Sequence, residues 1–135
     1  MLELYSLNVE VAENGSIPLN NITIAKGNTA IHSVPATVQL NKKGIYMVSF
    51  TGSITPTTAG VVSVQLVKDG VAQIGAVSES TGVTTGPEDL SFTTLVQVKE
   101  DNTCSCATGP TTVQVVNTGE AGTFTIVRLV VTKVC

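Results

Sequence analysis

Tryptophan is absent from this chain of 135 residues, histidine occurs once, and only 13% of the side chains are charged, about half the share usual in soluble domains. Each shortage excludes something. The seven basic residues stand singly or in the one pair Lys42-Lys43, within a net charge of −3. No basic groove for a nucleic acid is available, so no nucleic-acid partner is expected. His32 adjoins Ser33, but neighbours on a strand face opposite sides, and no nucleophile-elbow motif is present. A catalytic triad with Asp69 or Asp89 is therefore rejected, and no enzyme activity is expected. No window approaches the roughly 18 apolar residues of a membrane helix, so the positive mean hydropathy of +0.34 comes from many short strands and no membrane insertion is expected. The amino terminus lacks the cationic start and unbroken apolar run of a secretion signal. Synthesis in a cytoplasm is expected, and Asn14-Gly15-Ser16 and Asn21-Ile22-Thr23 are not read as glycosylation sites. Nothing shows the helical period over ten residues, and there is no linker or internal repeat.

What the chain does have is Val and Thr in abundance, β-branched side chains that fit a pleated, half-buried surface. The class is all-β, one domain by length. Alternating or apolar runs at Leu2 to Val11, Ile17 to Ala25, Ala30 to Val34, Ala36 to Leu40, Lys43 to Thr55, Val61 to Lys68, Val71 to Ser80, Leu90 to Lys99, Thr111 to Asn117 and Thr123 to Val134 predict about ten strands. Turn chemistry separates them. Asn14-Gly15, Lys26-Gly27-Asn28, Lys68-Asp69-Gly70 and Thr118-Gly119-Glu120-Ala121-Gly122 mark reversals, and Pro18 and Pro35 suit edges or bulges. The last two strands are expected to form a hairpin. So many short strands imply a sandwich of two antiparallel sheets.

The chain is organised around KGIYMVSFTGSIT, Lys43 to Thr55. Tyr46, Val48 and Phe50 share one face and are expected in the core with Val64, Leu66 and Phe92. Ile45 and Met47 fall on the other face. The final strand, TFTIVRLVVTKV, is also apolar on both sides. A sandwich uses one face of each strand, so the second apolar face predicts self-association.

Arg128 stands alone in that apolar strand, and an unpaired guanidinium buried there would cost several kcal/mol. It is expected either to pair with an acid such as Glu79 or Glu10, within or between subunits, or to point to solvent from an edge. Cys104, Cys106 and Cys135 read as free thiols packed as small hydrophobes; a disulfide to Cys135 and a site shared between subunits are the alternatives. Glu88-Asp89 and Glu100-Asp101 fit no calcium-loop pattern and read as solvated loop charge. No cofactor or metal is expected.

The strand Gly44, Tyr46, Val48, Phe50, with VSVQLVKDGVAQIGA, LSFTTLVQV and the closing TVQVVNTG and TIVRLVVTKV, resembles the C-terminal domains of bacterial collagen-like surface proteins of the C1q and tumour-necrosis-factor superfamily. It is also similar to short phage and prophage versions. The match spans roughly residues 37 to 135. The resemblance implies a jelly roll assembled as a homotrimer, with Ile45, Met47, Arg128 and Val130 at the three-fold interface. Without a collagen stalk or an export signal, it implies a trimeric capsid decoration or head-fibre protein on a virion, bound to the major capsid protein. A receptor- or glycan-binding tip is the alternative. The first forty residues lie mostly outside the match and are expected to act as an arm, with Met1, Leu2, Leu4, Tyr5 and Leu7 contacting the capsid.

Overall fold

A computed structural model describes residues 2–25, 30–34, 36–98 and 111–134, with the side chains of 24, 25 and 30–34 left outside the description. Ten strands follow in order: β1 (Leu2–Val11), β2 (Asn21–Ala25), β3 (Ala30–Val34), β4 (Thr37–Leu40), β5 (Gly44–Pro56), β6 (Gly60–Lys68), β7 (Val71–Gly82), β8 (Glu88–Val98), β9 (Thr111–Asn117) and β10 (Gly122–Lys133). They make two five-stranded sheets, β2-β1-β10-β5-β8 and β3-β4-β9-β6-β7. All pairings are antiparallel. The fold is an all-β jelly-roll sandwich. Among the described residues no helix is long and apolar enough to cross a membrane.

Alternation fills the core as expected. Tyr46, Val48, Phe50 and Ile54 of β5 are fully buried, and they meet Val64 and Leu66 of β6 and Phe92 of β8 in one cluster. Gly52 interrupts this inward row for a reason: a Cβ there would lie 3.0 Å from the Phe50 ring and 3.1 Å from Val127. The ring occupies the space of the missing side chain and stacks on Phe92 at 5.5 Å between centroids. Tyr46 carries its hydroxyl to the edge of the core, where it donates to the Lys42 carbonyl at 2.7 Å and accepts from the Lys42 amide. That pairing fixes the turn into β5.

Two expectations about connectivity are corrected. β9 and β10 do not form a hairpin, because they lie in opposite sheets: β9 pairs with β4 and β6, and β10 with β1 and β5. The crossing is held by Asn117, fully buried, whose amide donates to the carbonyls of Glu120, Val11 and Ala12 while its oxygen accepts from the Gly119 amide. Two glycines in the crossing have no alternative, since a Cβ on Gly119 or Gly122 would fall 2.5 Å from the carbonyl oxygen of Val61 or Thr55. A turn sequence rich in glycine serves a crossover as well as a hairpin, and the letters alone do not separate the two.

The second correction concerns β1. It is an interior strand, paired with β10 along its length and with β2 on its other side, so it is no detachable arm. Leu2 and Leu4 are buried core residues. Buried Ser6 accepts a hydrogen bond from the Asn20 amide at 2.7 Å, tying the following segment down. The stretch Ile17 to Ala25 is a strand only from Asn21; before it, Ile17 and Leu19 are buried and the Ile17 amide donates to the Val115 carbonyl. Pro18 sits in that irregular entry, as a residue without an amide proton should.

Candidate functional site

Because β10 and β5 are central strands, the outward face of the first sheet takes its middle from them and its flanks from β1 and β8. The register sets the side chains in rows. Tyr5, Arg128, Thr51 and Ser91 form one row, and Glu3, Val130, Ser49 and Thr93 the next. Toward the chain termini follow Thr132, Met47 and Leu95, then Ile45 beside Gln97. Toward the other end lie Leu7, Ile126, Ser53 and Asp89. The face thus carries Ile45, Met47 and Leu95 toward the chain termini, a polar belt in the middle, and a mixed row of Leu7, Ile126, Ser53 and Asp89 beyond it.

The four residues expected at an interface, Ile45, Met47, Arg128 and Val130, all lie on this face. Ile45, Met47 and Val130 are half-buried by their own neighbours. Leu95 and Leu7 are the most exposed large apolar side chains there, at 64% and 54%. Leu95 was readable from alternation, because Phe92, Val96 and Val98 point inward. Ile126 was not. The register between β10 and β5 shifts by one residue between Phe124 and Ile126. That bulge turns both Phe124 and Val127 into the core and leaves Thr125 and Ile126 exposed.

Arg128 is paired with neither Glu79 nor Glu10. Its Nε lies 3.3 Å from Glu3 Oε1, and its side chain is 57% exposed. Glu3 stands on β1 opposite Val130, a diagonal cross-strand neighbour. The Glu3 side chain is only 15% exposed, so the pair joins a half-buried carboxylate to a largely solvated guanidinium. Placed in the middle of the sheet, it fixes where a paired charge sits on the outward face. Beside it runs an open groove lined by Thr51, Ser53, Asp89, Ser91 and Ile126; the Ser53 hydroxyl donates to the Asp89 carboxylate, and Ser49 and Thr93 bond across the strands at 3.3 Å.

Of the five side chains expected to contact a capsid, Leu2 and Leu4 are in the core and only Tyr5 and Leu7 face outward; Met1 lies outside the described residues. Cys104, Cys106, Cys135, the Glu100-Asp101 pair and the His32 side chain also lie outside them. Among the described residues no group of three or more His, Cys, Asp or Glu side chains converges to hold a metal.

The register also defines two ends. Leu2 pairs with Val131, Tyr46 with Lys133 and Gly44 with Val98, so both described chain ends meet the turn into β5 at one end. At the other, Gly122 lies between Val11 and Pro56, and Ile54 pairs with Glu88. The loops around Pro56 and Pro87 crown that far end.

No family model and no curated protein matches the chain. Solved structures do. The chain is similar to the globular domain of zebrafish complement 1qA protein, with a TM-score of 0.67 and 7% identity over 96% of this chain and 94% of that one. It is similar to Eiger TNF from S. frugiperda, at 0.70 and 11% over 99% and 92%. A third likeness is to the vertex protein P5 of PRD1, at 0.65 and 16% over 99% and 96%. The chain has the C1q/TNF jelly-roll fold.

Proposed function

We propose that this chain is a structural virion protein, a homotrimer that decorates the outer surface of a phage capsid by binding the major capsid protein. The observation that carries the reading is the outward face of β10 and β5. The central strands present Ile45, Met47, Val130 and Ile126 on the side away from the core, with Leu95 beside Met47 on the edge strand β8, and outward apolar surface of that kind marks protein interfaces. In a closed trimer the edge of the neighbouring copy covers it in a heterologous contact repeated around the axis. The Arg128–Glu3 pair fits such burial, since a guanidinium that enters an interface already paired avoids most of the cost of an isolated charge. The likeness of the fold to a phage vertex protein supports the virion setting.

The competing reading is a receptor- or glycan-binding tip working through the crown. The exposed residues of that end include Thr57, Thr58, Thr84, Thr85 and Pro87, with no tryptophan or tyrosine among them to stack on a sugar ring. Copy number separates the two roles. In particles separated into heads and tails, quantitative mass spectrometry is expected to find the chain abundant and head-associated; a few copies confined to the tail would establish the tip reading in its place.

A further inference from the structure

The ionised side chains are sorted along the long axis of the sandwich. At the end bearing the chain termini stand Lys42, Lys43, Lys68 and Lys133, placed by the turn into β5, the β6–β7 hairpin and the last residue of β10. Lys68 Nζ reaches the Gln97 carbonyl of β8 at 2.8 Å, which ties the two sheets together at that same end. Asp69 is the carboxylate on the described part of this end, and its oxygen accepts from the Thr112 amide. Toward the crown, Glu10, Glu13, Glu79, Glu88, Asp89 and Glu120 are placed by the ends of β1, β7, β8 and β10 and their loops. No lysine or arginine accompanies them among the described residues. Arg128 and Glu3 pair in the middle and cancel. Among the described residues, a chain that is weakly acidic in total is therefore cationic at one end and strongly anionic at the other.

We propose that the terminal end is the docking surface and that its partner is an acidic protein surface, the outer face of the capsid under the reading above, on which this inference rests. Total charge hides this, because the crown outweighs the base. A separation of charge along the axis orients the molecule as it approaches: the base is drawn to an acidic surface while the crown is repelled from it, so the wrong orientation is disfavoured as well as the right one favoured. Three copies about an axis parallel to the strands multiply both charges at opposite ends. The same end carries uncharged contact area beside its cations. Val134 is 52% exposed and Val71 64% exposed, and beyond Val71 the strand β7 bulges between its pairings with Gln65 and Val67. There the Gln65 amide donates to the Gln73 carbonyl and the Gln73 amide to the Val71 carbonyl, holding out Ile74 at 91% exposure. Apolar residues within a charged rim are the composition of a protein contact rather than of a nucleic-acid one.

The test uses three immobilised probes: capsids assembled without this chain, poly-L-glutamate, and duplex DNA. The wild-type protein is expected to bind capsids and poly-L-glutamate more tightly than DNA, and to weaken about ten-fold between about 0.05 M and about 0.5 M NaCl. Lys42→Glu combined with Lys133→Glu is expected to lose about ten-fold or more on both acidic probes, whereas Glu10→Lys with Glu13→Lys binds at least as well as wild type. Lys133→Glu alone, at an exposed strand end, should move the same way with an unchanged melting temperature, which separates loss of docking from loss of fold. Capsid binding that ignores the lysine reversals overturns the inference and leaves the decoration role intact. Binding to poly-L-glutamate through these lysines without capsid binding refutes the decoration role and supports the polarity. Preference for DNA, or association of the trimers crown to base in place of probe binding, overturns the choice of partner.

Discussion

Phe50→Ala is expected to lower the unfolding free energy by about 3–5 kcal/mol, a large part of the roughly 5–15 kcal/mol that holds a domain together. The ring is fully buried, stacks on Phe92, and covers Gly52 where a side chain would otherwise stand. Its removal opens a space that cannot collapse easily, because β5 is fixed on both sides by β10 and β8 and the glycine beneath has nothing to fill it. Tyr46→Ala should cost a comparable amount. Tyr46→Phe keeps the ring and loses only the hydroxyl bonds to Lys42, so about 1 kcal/mol is expected. Denaturant titration of the three variants checks the series. Near-wild-type midpoints for Phe50→Ala would mean that the face of β5 assigned to the core is the wrong one.

Removing residues 1–7 is expected to unfold the domain, where a free arm would leave a folded protein that merely fails to attach. The truncation deletes two buried leucines, Leu2 and Leu4, worth about 2–5 kcal/mol each by analogy with core truncations. It also strips β10 of its partner along one edge and leaves the Asn20 amide without its Ser6 acceptor. Those losses approach the whole stability of a domain this size. Circular dichroism with thermal melting reads the result directly. A cooperative transition at the wild-type temperature would show that β1 is dispensable and restore the arm.

Period-two alternation made most of the sandwich readable from the letters. The strand from Leu2 to Val11, the inward row of Tyr46, Val48 and Phe50, and the Lys68-Asp69-Gly70 hairpin all stand where the alternation and turn residues set them. The left-handed backbone at Asp69, with φ of 51°, and at Gly70, with φ of 81°, is what that pair of residues accommodates. What the letters hid was long-range. Whether Thr118 to Gly122 reverses the chain within one sheet or carries it to the other depends on which strands are already paired, and no local residue records that. A bulge at Thr125 changes facing without changing composition, so Ile126 and Val127 could not be assigned to sides. Glu3 was invisible as the partner of Arg128, because 125 positions separate residues that the β1–β10 register brings to a diagonal. The ends of the molecule were likewise closed to sequence reading: that four lysines from three separate segments gather at one of them follows only from the topology.

Self-association through the outward face of β10 and β5 is the claim on which the proposed role depends, and analytical ultracentrifugation addresses it most directly. At micromolar concentration the protein is expected to sediment as a single species near three times 13.9 kDa. Val130→Glu with Met47→Glu, which sets carboxylates on the apolar side of the Arg128–Glu3 belt, should dissociate that species without unfolding it. A wild-type chain that sediments as a stable, folded monomer over the same range would contradict the account.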